Sequence, residues 1–88
     1  MDEEARLQLM SIIDRIPPGE RRTIAELSEE RVILLHHGLG MFIRNMIRSG
    51  ELGALFRWSC AQAPGEPRSL DSLAWPILLE VWKVLRAS

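Results

Sequence analysis

The chain has 88 residues, a net charge of -1 and a hydrophobic fraction of 47%, which allows one domain and gives no global reason to seek nucleic acid or an acidic membrane. Charged residues make up 26%, so composition excludes a disordered chain, and no window reaches the roughly 18 apolar residues of a membrane span. Cys60 is the one cysteine, which rules out an internal disulfide and the paired-cysteine zinc spacings and favours a reducing compartment.

The N-terminal Met1-Asp2-Glu3-Glu4 is acidic where a secretory signal would be basic, and the expected location is cytoplasmic. A first helix is expected from about Asp2 to Arg15, with its carboxylates at the positive end of the helix dipole. Ala5, Leu9, Ile12, Ile13 and Ile16 share one face at helical spacing, and Leu7 projects away from it. Pro17-Pro18-Gly19 ends this helix. A polar loop over Glu20–Arg22 and a short turn at Thr23–Leu27 follow. Ser28 then starts the main helix, Glu29 to about Arg48, which Ser49-Gly50 closes.

The main helix carries the clearest pattern. Val32, Leu35, Leu39, Phe42 and Met46 recur at steps of three and four, and Ile43 and Ile47 widen the stripe. Gly38 and Gly40 interrupt it, each costing about 1 kcal/mol against alanine. They mark either a break or the close approach of a second backbone. Because the apolar phase continues on both sides, close packing is the expectation, with this helix at the centre of the fold. Glu51–Ala63 reads as a short helix. Pro64-Gly65-Glu66-Pro67 is a loop. A last helix, capped by Ser69 or Ser72, runs to about Arg86 with Pro76 in its first turn or at a kink, and with Ile77, Leu78, Val81, Val84 and Leu85 inward. No useful strand alternation occurs. The expected fold is a single all-α domain over residues 1–88, of three main helices plus one or two short ones.

Catalytic and metal signatures are weak. His36 and His37 are adjacent, about 100° apart on a helix, and cannot chelate one metal together; a buried His36 and an exposed His37 are expected. Cys60 reads as a small buried hydrophobe. Nucleophile elbows, dinucleotide loops and phosphate loops are missing from the sequence. Neither an enzyme nor a cofactor nor a metal is expected. Arg21, Arg22, Arg44, Arg48 and Arg57 would suit a nucleic-acid binder if they formed one unpaired patch, which makes a small nucleic-acid-binding regulator the alternative function. The leading expectation is a protein-interaction module: an accessory, inhibitor or immunity-type protein, or a self-associating subunit. Trp75, Leu79 and Trp82 line one flank of the last helix, and Leu34 and Met41 lie opposite the core stripe of the main helix. Either set is a partner surface or is covered by the middle helix and loops. The tryptophan flank is the first choice, because Trp offers large apolar area with few rotamers to freeze.

The stretch Leu35-His36-His37-Gly38-Leu39-Gly40-Met41-Phe42-Ile43-Arg44-Asn45, preceded by Ser28-Glu29-Glu30, resembles the signature of an uncharacterised family of small bacterial domains, Leu-His-x-Gly-Leu-Gly-Met-aromatic-Ile-Arg-Asn. Where that family continues with a Gly-Leu-Trp segment, this chain reads Met46-Ile47-Arg48-Ser49-Gly50-Glu51-Leu52-Gly53. The resemblance implies His37, Arg44 and Asn45 as the shared polar residues, and packing roles for His36 and the two glycines.

Overall fold

In the computed structural model, which describes residues 1–62 and 70–87, the chain is all-α. Its elements are α1 (Glu3–Asp14), α2 (Pro18–Ala25), a 3-10 helix (Glu29–His36), α3 (Leu39–Arg48), α4 (Gly53–Gln62) and α5 (Leu70–Ala87). The Pro64–Pro67 loop and the Ser69 cap lie outside the described residues.

The first helix follows its local signals. The Asp2 carboxylate accepts from the Ala5 N–H at 2.8 Å, and Glu3 and Glu4 fill the first turn. Ala5, Leu9, Ile12, Ile13 and Ile16 are buried, while Leu7 is exposed. The segment after it differs from expectation. Pro17-Pro18 not only ends α1 but opens α2, with Pro18 at the first helical position, where a missing N–H costs nothing. Thr23, expected in a short turn, therefore lies inside a helix, and its hydroxyl donates to the Gly19 carbonyl at 3.1 Å.

The single helix expected over Glu29–Arg48 is broken in two. Eight residues form a 3-10 helix, His37-Gly38 turns, and Gly38 has φ -87° and ψ -82°, outside the α region. Of the two glycines, only Gly40 is packed. A Cβ there would meet the Leu35 carbonyl at 3.5 Å and Leu78 Cδ1 at 3.7 Å, which are ordinary contacts, whereas one on Gly38 would meet nothing within 4 Å. Gly38 marks the break and Gly40 the packing. At the far end, Gly50 takes φ +84°, and the Glu51 N–H reaches back to the Met46 carbonyl at 3.2 Å. That left-handed C-terminal turn requires glycine.

The centre of the molecule is α5, which packs on α1, α2, α3, α4 and the 3-10 helix. The expectation of a central main helix is corrected accordingly. Ile77, Leu78, Val81 and Leu85 are buried along α5, and Pro76 lies inside the helix, not in its first turn. Two polar ties fix α4. Its Leu55 N–H, near the helix start, donates to Gln8 Oε1 at 2.9 Å, and the buried Ser59 hydroxyl donates to the Leu73 carbonyl of α5.

Candidate functional site

Of the tryptophan flank of α5, Trp82 is core, not surface. Trp82 is 5% exposed. Its indole N–H donates to the Leu27 carbonyl at 3.0 Å, and the Arg86 guanidinium lies 5.0 Å from the ring centroid. Trp75 and Leu79 are half-buried and pack against the same core. The expectation of a partner surface is thereby corrected for Trp82, which is core, while Trp75 and Leu79 keep part of their surface in solvent. The Leu27 segment after α2 reaches Trp82, and a buried indole finds an acceptor as a buried donor must.

The second candidate set stays exposed. Leu34 is 67% and Met41 51% exposed, and Ile33, which the sequence pattern did not single out, is 60% exposed. A 3-10 helix has about three residues per turn, so side chains three apart form rows. One row carries Val32 and Leu35, and Val32 is wholly buried with Leu35 half-buried. The other two rows carry Ile33 with His36 and Leu34 with His37. The signal for Ile33 was present in the run Val32-Ile33-Leu34-Leu35, because four consecutive apolar residues cannot all face one core.

The α3 helix turns Gly40, Ile43 and Met46 inward. Leu39 and Phe42, from the middle of the expected stripe, are only half-buried. With Leu35 they wall an open groove of about 420 Å³, completed by Ile16, Pro17 and Ile24 and edged by Arg15, Glu20 and Thr23, with Gly38 at the break. A second cavity, of about 390 Å³, lies between α1, α2 and α5, where Met10, Ile13, Ala25, Val84 and Leu85 meet Arg21 and Arg22.

The motif's polar residues do not converge on either cavity. Neither is lined by His37, Arg44, Asn45 or Cys60. His37 is exposed and His36 half-buried, with their rings edge-to-face at 5.5 Å between centroids. The Asn45 side chain accepts from Arg48 at 3.5 Å, and Arg44 is half-buried. Cys60 is half-buried and not fully enclosed. The arginines considered for nucleic acid are spread over three helices. Arg21 donates to the Ile16 carbonyl at 2.7 Å and to the Asp14 carbonyl at 3.2 Å, and so caps the end of α1. Arg22 lies beside it, Arg44 and Arg48 are on α3, and Arg57 is on α4. Among the described residues, no group of three or more His, Cys, Asp or Glu side chains is placed to hold a metal ion, and no helix is long and apolar enough to cross a membrane.

Comparison with known proteins found no matching family model, curated protein or solved structure.

Proposed function

We propose that this chain is a small protein-interaction module, an accessory, inhibitor or immunity-type protein or a self-associating subunit, that binds through the segment around the helix break. The observation that carries the reading is the exposure of Ile33, Leu34 and Met41, at 60%, 67% and 51%, within nine residues of chain. Full burial of such a side chain is worth about 1.5–3 kcal/mol, and more than half of that remains to be gained at each position. Met is also enriched at interfaces, where its flexible thioether adapts to the opposing surface. His37, Arg44 and Asn45 lie in the same stretch and would supply the polar rim.

The test is the double variant Leu34→Glu, Met41→Glu. Both side chains project into solvent, so each change should alter the free energy of unfolding by no more than about 0.5 kcal/mol. Sedimentation equilibrium and affinity capture from the native host then compare it with the wild type. The expected result is a folded protein that has lost the wild type's self-association or its captured partner. A folded variant with the same mass in solution and the same captured proteins would overturn the reading.

A further inference from the structure

The apolar spacing of Glu29–Arg48 is that of one continuous α-helix, and the chain does not form one. Three features of the break bear on why. The residues before it form a 3-10 helix of eight residues, about twice the run that this geometry usually sustains. The turn residue Gly38 has room for a side chain, with nothing within 4 Å of a Cβ, so no close packing demands glycine there. Leu35 before the break and Leu39 and Phe42 after it share the wall of the groove.

A continuous α-helix would nevertheless keep the segment's main anchor. Val32 lies eleven residues before Ile43, about 20° beyond three whole turns. Both are 0% exposed, and both would remain on the inward face. Ile33, seven residues before the buried Gly40, would move to the edge of that face and lose exposure. Leu34 and Met41, seven apart, would come into line on the outer face. The α form thus keeps Val32 inward and covers Ile33. It is opposed by the low helix propensity of Gly38, about 1 kcal/mol below alanine.

We propose that Glu29–Gly38 is a conformational switch, exchanging between the 3-10 form and an α-helix continuous with α3, with Gly38 balancing the two. Over eight residues the conversion shortens the segment by about 4 Å and turns its start by about 160° relative to its end. It moves Leu35 relative to Leu39 and so remodels the groove they share. The exchange is a property of the isolated chain and does not depend on the protein-interaction role proposed above.

The experiment is NMR relaxation dispersion and saturation-transfer exchange on the full chain, wild type and Gly38→Ala. The expected result is exchange centred on residues between Glu29 and Leu39 and reaching the groove residues beside them, with minor-state Cα shifts of α-helical sign and size in that segment. Gly38→Ala should raise that minor population about fivefold. Flat profiles over this segment in the wild type would overturn the proposal. So would a minor state with coil-like shifts, which is local unfolding, or an α-like minor state that Gly38→Ala leaves at its original population.

Discussion

Two stretches of this chain look alike in sequence and end in opposite environments. Trp75, Leu79 and Trp82 on α5, and Leu34 and Met41 around the helix break, are both apolar sets that lie off the main core stripe of their helices. Trp82 is buried and hydrogen-bonded to the Leu27 backbone, while Leu34 and Met41 remain mostly in solvent. The difference lies in what packs against each helix. The last helix packs on every other element of the described fold, so most of its apolar residues are covered, and its exposed positions are polar or small ones such as Ser72, Lys83 and Arg86. The 3-10 helix and α3 pack chiefly on α5 and on each other, and Ile33, Leu34 and Met41 on their outer sides are left mostly to solvent. An off-stripe apolar residue therefore reports on a surface only where its helix sits at the edge of the fold.

The largest expected effect tests the buried half of that comparison. Trp82→Ala should cost about 3–5 kcal/mol in denaturant unfolding, as a large buried aromatic is removed from a core that cannot fully collapse. Trp82→Phe keeps much of the apolar body but leaves the Leu27 carbonyl without its donor, and should cost about 1 kcal/mol from that loss alone. If Trp82→Ala unfolds at the wild-type denaturant concentration, the indole is not part of the core and the contrast with Leu34 disappears.

How much of this was legible in the sequence differs by element, for physical reasons. The start of α1 was readable because a capping Asp2 and two carboxylates are local devices, and its buried face because Ala5, Leu9, Ile12, Ile13 and Ile16 follow one period. The inward face of α5 was readable for the same reason. The break at Gly38 was not, because the apolar phase is the same on both sides of it and a glycine permits a turn without requiring one. The start of α2 is hidden because Pro17-Pro18 carries two signals at once, a stop for the preceding helix and a favoured first residue for the next. The direction of Trp82 depends on where the Leu27 segment lands, a contact 55 residues apart in sequence, which no local pattern encodes. The groove combines both difficulties, since its walls come from the unforeseen break and from the distant α1–α2 turn.

A second, smaller effect sharpens the comparison at the junction between the two regions. At Gly40 α3 lies against α5, with Leu78 Cδ1 at 3.7 Å from a Cβ position. The distance admits a methyl group and little more. Gly40→Ala should be neutral or stabilising by up to about 1 kcal/mol, because helix propensity improves and no contact tightens. Gly40→Leu should cost about 1–3 kcal/mol by overpacking against Leu78 and Leu35. Thermal unfolding of the two variants measures the difference. If Gly40→Leu is as stable as Gly40→Ala, α3 has freedom to move away from α5, and the edge character of this region extends further inward than the structure places it.

The smallest effect lies at the surface tie between α1 and the α3–α4 turn. Glu51 accepts a hydrogen bond from the Ser49 hydroxyl at 2.7 Å and one from Arg15 at 2.9 Å. The Ser49 bond and then the Arg15 guanidinium hold its carboxyl below the ordinary glutamate value. A carboxylate whose pKa is lowered by folding contributes its stability in full above the unfolded value, about 4.3, and loses it as pH falls through the lower folded value. The group is on the surface, so solvent and salt keep the contribution small. The wild type should therefore show an added decline in stability below about pH 4.3 that Glu51→Gln lacks. Because the serine bond and the arginine's bond and charge all lower the carboxyl's pKa, Ser49→Ala and Arg15→Gln should each remove part of that decline. Added salt should weaken the arginine's share in particular, since the attraction between two exposed charges is what ions screen. Superimposable stability–pH curves for the wild type and Glu51→Gln would show that this tie, unlike the buried indole of Trp82, does nothing to hold the fold.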